Sequence, residues 1–204
     1  MTIYIATGNQ GKLRDFAGGG FARGLDLVTL PGYASLPAVE ETGDSFEANA
    51  KLKAEHYSGF TDEWVVGDDS GLEVAALGGE PGIYSARFAG RHGDDAGNNE
   101  LLLARMADVP AGARGGAFVC VLALARGGRT WATFRGSVEG EILTAPRGDK
   151  GFGYDPLFLI PAAGRTMAEM EAGEKAKYSH RGKAMRALLQ WIAQWPHRAN
   201  QPAH

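Results

Sequence analysis

Short apolar runs alternate with amphipathic, helix-like stretches over the first half of the chain. The first run is TIYIA (2–6), and the segment TGNQGK separates it from the helical pattern of KLRDFA. The glycines at 18–20 break that helix, and LDLVTL (25–30) predicts a second strand. A strand, a loop and a helix in this order are typical of an α/β domain.

The next elements are a loop, a helix and a strand. Residues 36–44 read LPAVEETGD, a loop, and SFEANAKLKAEHY predicts a helix capped by Asp44, with Glu47 as the partner of that cap. The run WVVGD then predicts a strand that ends at two adjacent carboxylates, Asp68 and Asp69. The apolar stripe of the helix consists of Phe46, Ala50, Ala54 and Tyr57.

The second half of the chain adds a helix in NNELLLARMADV and two long antiparallel strands, GAFVCVLALA and TWATFRGSVEGEIL, joined through RGGR. A short strand ends GFGYDPLFLIP, and a last helix is expected from Ser179 to Trp195. The fold class that follows is α/β (mixed α+β), with an elongated mixed β-sheet flanked by helices and two lobes around a central cleft. We expect one domain over 1–196 and a frayed tail over 197–204.

Composition and charge narrow the classes of protein to which this chain can belong. Apolar residues make up 44% and charged residues 22% of the 204 residues, as in an ordinary globular protein. The net charge of −3 argues against broad binding to nucleic acid or to an anionic membrane surface. The one cysteine, Cys120, lies in an apolar run and is expected to be buried. With no predicted signal peptide and no apolar stretch near the ~18 residues of a membrane span, we expect a cytoplasmic protein.

The segment TGNQGK has the composition of a phosphate-binding loop. A loop that leaves a strand and enters a helix presents backbone N–H groups to an anion, Gly8 and Gly11 would let a phosphate approach, and Lys12 adds positive charge. It is not a Walker A loop, because Ala6 and Leu13 stand where that motif needs glycine and Ser or Thr. A glycine-rich turn with a solvated lysine is the alternative.

The aspartate pair suggests a cation site. Asp68 and Asp69 at the end of a strand, with Glu40 and Glu41 from a loop, would form an oxygen-rich environment that suits Mg²⁺. Magnesium in turn usually implies substrate phosphates. On its own, however, an Asp-Ser-Gly stretch between apolar runs more often reverses the chain.

Two later segments add groups that could hold a base. In GFGYDP, Phe152 could be a stacking platform, although core packing is the commoner role of phenylalanine. In EKAKYSHRGKA, the residues Lys175, His180 and Arg181 concentrate positive charge at the start of the last helix, which Ser179 could cap. A solvated face is the alternative there. Together the segments describe a nucleoside polyphosphate site.

The chain resembles the inosine/xanthosine triphosphate pyrophosphatases, the Ham1-like noncanonical purine NTP pyrophosphatases. The segments that carry the resemblance are ATGNQGK, EETGDSFEANAKLKA, GDDSGLEVAALGGEPGIYSARFAG, GFGYDPLFLIP and EKAKYSHRGKA. They occur in the order of the family and cover almost the whole chain. The resemblance implies hydrolysis of ITP, dITP and XTP to the monophosphate and pyrophosphate, with Mg²⁺ as cofactor and a homodimer as the assembly.

The resemblance also implies roles for individual residues. Asp69 would be the proton acceptor and a metal ligand, with Glu40 as the second ligand and Glu41 as the alternative. Lys53 is a candidate phosphate contact, and the roles of Asp68 and Glu47 stay open. The substrate-binding set would be Thr7, Gly8, Asn9, Gln10, Gly11, Lys12, Ser70, Phe152, Gly153, Tyr154, Asp155, Lys175, His180 and Arg181.

Two other readings remain. A Maf-like nucleotide pyrophosphatase would act on modified pyrimidine or ordinary nucleotides, but the SHRG and GFGYDP segments argue against it. A noncatalytic sensor would bind the nucleotide without turnover, and it would have no need of a water-activating carboxylate. The sequence does not rank ITP, dITP and XTP, and it does not show how strictly GTP is excluded.

Overall fold

A computed structural model describes residues 1–18 and 26–198, with side chains described as far as residue 194. Within these residues the strands form one seven-stranded sheet in the order β2-β1-β3-β4-β5-β6-β7. The strands are β1 Thr2–Ile5, β2 Asp26–Thr29, β3 Trp64–Val74, β4 Gly115–Arg126, β5 Arg129–Ile142, β6 Phe158–Ile160 and β7 Arg165–Thr166. The α-helices are α1 Gln10–Gly18, α2 Phe46–Ser58, α3 Asp95–Arg105, α4 Ala172–Tyr178 and α5 His180–Arg198.

The sheet is mixed, as the sequence predicts. β1 is parallel to both β2 and β3, whereas every later pair, from β3 with β4 to β6 with β7, is antiparallel. Helices pack on both faces. α2 covers one face through Phe46, Ala50 and Ala54, and α1 and α5 cover the other through Phe16 and Leu188. The predicted α/β fold with a flanked mixed sheet is confirmed.

The predicted end of β3 at the aspartates is wrong. The strand continues through Asp68 and Asp69 to Val74, because β4 pairs with it along the whole stretch. β1 pairs with β3 only as far as Val66. The two aspartates therefore lie within a long strand, just beyond the point where its parallel neighbour stops.

Side chains alternate between the faces of a strand, so neighbouring residues of β3 point in opposite directions. Val66 belongs to the core under α1 and α5, whereas Gly67 faces α2. A Cβ on Gly67 would lie 2.6 Å from the Ala54 nitrogen, so the helix could not approach the strand this closely if Gly67 carried a side chain. By the same alternation, Asp68 and Asp69 lie on opposite faces.

Several details differ from the sequence predictions. The cap of α2 is Ser45 rather than Asp44: its hydroxyl accepts the Ala48 N–H at 3.2 Å, and Glu47 pairs with Lys51 instead. The last helix continues past its predicted end at residue 195 and reaches residue 198, which lies in the predicted tail.

Parts of three predictions lie outside the described residues: the break at 19–20, the first residue of the second strand and the tail from 199 onward. Cys120 is fully buried, as predicted. In the described part of the chain, no helix has both the length and the apolar character that a membrane span requires.

Candidate active site

A cavity of about 470 Å³ lies beside β3 at the aspartate pair, and segments from both halves of the chain line it. Of the residues singled out from the sequence, the lining includes Thr7, Gly8, Asn9, Lys12, Glu41, Lys53, Asp68, Asp69, Ser70, Phe152, Gly153, Tyr154, Asp155, His180 and Arg181. Gln10, Gly11, Glu40 and Lys175 are not part of the lining. The cavity thus brings together most of the predicted site.

Asp68 lies on the face of β3 that α1 and α5 cover, and it is surrounded by donors. It forms an ion pair with Lys12, and its Oδ2 lies 3.9 Å from Arg181 Nε. The hydroxyl of Ser70 donates to it at 3.2 Å, and the thiol of Cys120 donates at 3.1 Å. Burial alone would raise the pKa of Asp68, but Lys12 and Arg181 hold that pKa well below its usual range. Asp68 is therefore ionised near neutral pH.

Asp69 lies on the opposite face and has one hydrogen-bond partner among the described residues. Its Oδ1 accepts a hydrogen bond from Lys53 of α2 at 3.0 Å, and its Oδ2 is buried without a hydrogen-bond partner in the described part of the chain. Burial raises the pKa of Asp69, and the nearby ammonium of Lys53 only partly offsets this. A buried carboxylate oxygen without a donor can accept a proton or coordinate a cation.

Glu41 joins the same charge cluster through Lys53. Its Oε2 lies 3.3 Å from Lys53 Nζ, and although both glutamates are exposed, Glu41 lines the cavity and Glu40 does not. The acidic loop is fixed because the Gly43 N–H donates to Asn49 Oδ1 at 2.8 Å. Burial lowers the pKa of Lys53, but Asp69 and Glu41 outweigh burial and raise it. Lys53 is therefore a charged, buried ammonium between two carboxylates.

The loop after β1 turns directly into α1. Asn9 Oδ1 accepts the Lys12 N–H at 3.0 Å, and Thr7 Oγ1 accepts the Asn9 N–H at 3.1 Å. Both bonds shape the loop so that the start of α1 faces the cavity, which favours an anion. Gly11 serves packing instead, since a Cβ there would overlap the Phe152 ring.

At the other end of the cavity, the Phe152 ring lies close to two buried cations. Lys175 Nζ is 5.1 Å and Arg181 Cζ is 5.0 Å from the ring centroid, within the range of cation–π contacts. Lys175 also contacts Asp155 at 2.7 Å. The solvated-face alternative for the start of the last helix does not hold for these residues, because Lys175 and Arg181 are both buried.

Asp15 is a residue that the sequence reasoning missed. Its carboxylate lies 2.8 Å from Lys175 Nζ and 3.0 Å from Arg181 Nη1, and it joins the two cations. The signal in the sequence was weak: Asp15 follows Lys12 by one helical turn and would face the same side of α1. No local sequence pattern connects Asp15 to Lys175 and Arg181, which follow it by 160 and 166 positions.

His180 does not add positive charge to this end of the cavity. Its ring stacks on Phe118, with centroids 4.7 Å apart and an interplanar angle of 9°. It is 1% exposed, and neither ring nitrogen has a hydrogen-bond partner among the described residues. Burial, with help from Arg181 and Lys175, lowers the pKa of His180 well below its usual value. His180 is a neutral ring with one donor and one acceptor nitrogen available.

The segment 151–155 is anchored by residues that the sequence reasoning also missed, and two of them, Ser85 and Asp95, line the cavity. The Tyr154 hydroxyl donates to the Ser85 carbonyl at 2.9 Å. The Gly153 N–H donates to Asp95 Oδ2 at 2.7 Å, and the Gly153 carbonyl accepts from Asn99 Nδ2 at 2.9 Å. These anchors lie in the segment that links β3 to α3 and in α3 itself.

The cavity combines two chemical environments. Its phosphate end holds Lys12, Lys53 and the start of α1, which suit an extended polyanion, together with Asp69, whose Oδ2 has no hydrogen-bond partner among the described residues. Its base end holds an aromatic ring, a buried guanidinium and a neutral imidazole, which suit a flat heterocycle. The two ends adjoin, because Lys12 and Arg181 lie at the same carboxylate, Asp68. No group of three or more His, Cys, Asp or Glu side chains among the described residues is placed to hold a metal ion on its own.

Comparison with known proteins shows the family of the chain. A dITP/XTP pyrophosphatase of Exiguobacterium sibiricum is 48% identical over 188 residues, which cover 92% of this chain and 95% of that protein. One of Thermus thermophilus is 51% identical over 190 residues, covering 93% and 91%. The solved structure of the Staphylococcus aureus Ham1 protein aligns with a TM-score of 0.83 at 39% identity, covering 96% of this chain and 100% of that one. The Ham1 family model matches residues 3–191, and the chain therefore belongs to the Ham1 family.

Proposed function

We propose that this protein hydrolyses noncanonical purine nucleoside triphosphates, namely ITP, dITP and XTP, to the monophosphate and pyrophosphate. The observation that carries the proposal is the buried, unpartnered Oδ2 of Asp69, in a cavity with cations at one end and an aromatic ring at the other. The names of the relatives, dITP/XTP pyrophosphatases at about half identity, support the choice of substrate.

The reaction follows from the placement of the charges. Asp69 accepts a proton from a water molecule, whose oxygen forms a bond to the α-phosphorus as the bond to the bridging oxygen breaks. The electrons of that bond leave with pyrophosphate. Lys12 and Lys53 lie where they can offset the charge of the leaving group. The raised pKa of Asp69 makes its carboxylate a stronger base than an exposed aspartate.

Magnesium is part of the proposal, and the donors present fit it. Mg²⁺ is usually held by one or two carboxylates, with the remaining oxygens from water and substrate phosphates. Asp69 and Glu41, which both line the cavity, would hold the ion. Magnesium bound there would neutralise charge on the phosphates.

Glu40, the second ligand that the family resemblance implies, stays a prediction, and a pair of variants decides between the neighbours. If Glu41 is the ligand, Glu41→Gln raises the Mg²⁺ concentration needed for half-maximal activity and Glu40→Gln leaves it unchanged. The reverse result would assign the ligand to Glu40. Calorimetric titration of Mg²⁺ in the presence of the product monophosphate gives a second measure of affinity that is independent of turnover.

Selectivity against adenine has a physical basis in the buried donors. Hypoxanthine and xanthine carry a carbonyl at position 6, where adenine carries an amine. Arg181 Nε is buried without a hydrogen-bond partner in the described part of the chain, and one His180 nitrogen is also a donor. A carbonyl would accept from such donors, whereas an amine would leave them unsatisfied, and buried unsatisfied donors lower affinity strongly.

The test is pyrophosphate release from ITP, dITP, XTP, GTP, ATP and dTTP in the presence of Mg²⁺. Rapid release from the first three and little from the others is the expected result. Release mainly from dTTP or ATP would contradict the proposal and favour the Maf-like alternative. Tight binding of ITP without release would favour the sensor.

We also propose a homodimer and a cytoplasmic location, on the strength of the family resemblance. Light scattering coupled to gel filtration tests the first: a mass of about twice the 21.6 kDa of one chain is expected. A mass of one chain at micromolar concentration would contradict it.

A further inference from the structure

Helix α3 holds one residue of the cavity wall by both of its backbone polar groups. The Gly153 N–H donates to Asp95 Oδ2 at 2.7 Å, and its carbonyl accepts from Asn99 Nδ2 at 2.9 Å. The Asn99 amide also donates to the backbone carbonyl of Asp95 at 2.8 Å, one helical turn earlier, which holds the Asn99 side chain against α3. These contacts join positions 58 and 54 residues apart in the sequence. We call the pair Asp95 and Asn99 the α3 clamp.

The clamp acts next to the aromatic ring of the cavity. Gly153 follows Phe152 directly, and it has a left-handed backbone with φ of +59°, which favours glycine. On the N-terminal side of Gly153, the Phe152 N–H donates to Asp155 Oδ2 at 2.9 Å, and the Phe152 ring packs on Gly11. Without the clamp, Gly153 would lose the hydrogen bonds of both its N–H and its carbonyl to α3.

The helix itself does not need the clamp. The N-terminus of α3 is capped by Asp94, whose Oδ1 accepts the Gly97 N–H at 3.1 Å. Helix α3 packs into the core through Leu102 and Met106, which are fully buried. Asp95 is exposed and adds no core packing. The cap and the core packing of α3 therefore come from residues other than Asp95 and Asn99.

We propose that Asp95 and Asn99 are positioning residues for the purine end of the cavity: by fixing Gly153 they hold the Phe152 ring where it receives the base. This inference rests on the proposed function, because it assigns the ring to a purine. A ring held in one orientation binds a base more tightly than a mobile one, since less conformational freedom is lost on binding. The clamp should affect the base and leave the phosphates alone.

The decisive variant is Asn99→Asp, which keeps the shape of the side chain and removes both donated hydrogen bonds. It is expected to raise the KM for ITP about tenfold, since each hydrogen bond contributes modestly, and to change kcat by less than about twofold. Asp95→Asn keeps an oxygen that accepts from Gly153 and should stay within about twofold of wild type, whereas Asp95→Ala should resemble Asn99→Asp. Glu100→Gln, an exposed change on the same helix, is the matched control.

Two inhibitors separate positioning from general damage. Inosine monophosphate fills the base end, and its inhibition constant should rise in Asn99→Asp and Asp95→Ala by the same factor as KM. Inorganic tripolyphosphate occupies only the phosphate end, and its inhibition constant should not change. Circular dichroism and thermal unfolding confirm that each variant is folded; if Asn99→Asp is not, the Asp95→Ala and Asp95→Asn pair makes the same comparison.

Unchanged affinity for inosine monophosphate in folded Asn99→Asp and Asp95→Ala would overturn the inference. An equal rise in the inhibition constants of inosine monophosphate and tripolyphosphate would also overturn it, because the clamp would then support the whole site. A wild-type protein that binds inosine monophosphate but releases no pyrophosphate from ITP would contradict the proposed reaction alone. The clamp would then be judged by the calorimetric affinity for inosine monophosphate.

Discussion

At the scale of single residues, the burial of His180 links the stability of the fold to pH. The ring is stacked on Phe118, has no hydrogen-bond partner in the described part of the chain, and has a pKa well below its usual value because burial disfavours its charged form. In the unfolded chain the ring takes up a proton near pH 6.5, but in the folded chain it stays neutral. Protonation therefore favours unfolding as the pH falls below about 6.5.

Replacing His180 should remove this pH dependence. As the pH falls from 6.5 to 5, we expect His180 to lower the free energy of unfolding of the wild-type protein by about 1 kcal/mol per pH unit. The free energy of unfolding of His180→Gln should fall less steeply by that amount. Urea unfolding at several pH values measures the difference. The control is His92→Gln, a change at an exposed histidine. Parallel pH profiles for His180→Gln and wild type would show that the buried ring is not the cause.

Asp68 has a different role from Asp69, although the two are neighbours. It is fully buried between Lys12, Arg181, Ser70 and Cys120, and it accepts from or pairs with each of them. Asp68 therefore holds cations from α1 and α5 against the same strand. The sequence leaves the role of Asp68 open, and these contacts indicate that it stabilises the fold.

Removing the charge of Asp68 should destabilise the protein. In Asp68→Asn, Lys12 and Arg181 lose a buried counter-charge, and breaking a buried ion pair in this way costs about 3–5 kcal/mol. The free energy of unfolding in urea at pH 7 measures this cost. The exposed pair of Glu47 and Lys51 offers a control, because Glu47→Gln should change stability by less than about 1 kcal/mol. A similar small loss for Asp68→Asn would mean that the ion pair adds no stability.

At the scale of elements, α5 sits on β5 through a glycine. A Cβ on Gly136 would lie 2.5 Å from the Ala184 nitrogen and would also overlap the His180 carbonyl. Since backbone atoms cannot move aside like a flexible side chain, the start of the helix would have to shift. His180 and Arg181 lie in that first turn, so the contact affects the base end of the cavity.

Gly136→Ala is accordingly expected to weaken both packing and function. We predict a loss of about 1–3 kcal/mol of stability from overpacking, together with a raised KM for the nucleotide. Gly115→Ala is the matched control, because a Cβ on Gly115 at the start of β4 meets nothing within 4 Å. Thermal unfolding and steady-state kinetics provide the two readouts. A wild-type KM in Gly136→Ala would show that the first turn of α5 adapts without moving its side chains.

The hydrophobic pattern predicted most elements because it depends on local periodicity. The long strands β4 and β5 and the buried stripe of α2 follow directly from alternation and from the helical repeat. The continuation of β3 through Asp68 could not be predicted in this way. Its local residues favour a turn, and only the pairing with β4, some 50 positions later, keeps them extended.

At the scale of the whole molecule, the site depends on contacts between distant segments. The motifs identified most of its residues, but their pairing, such as Lys12 with Asp68 and Lys53 with Asp69, follows from the alternation of faces along β3. Asp15, Asp95 and Asn99 were missed because each occurs in an ordinary helical context. A net charge of −3 likewise gives no sign of the buried or nearly buried cations that line the cavity in the described part of the chain, Lys12, Lys53 and Arg181.

The central claim is that Asp69 accepts the proton of the attacking water. The measurement that tests it most directly compares Asp69→Asn with wild type, by pyrophosphate release from ITP and by calorimetric binding of ITP. We predict that release falls by at least about 10²-fold, while ITP still binds, because the phosphate and base contacts remain. An Asp69→Asn protein that releases pyrophosphate at nearly the wild-type rate would contradict the account.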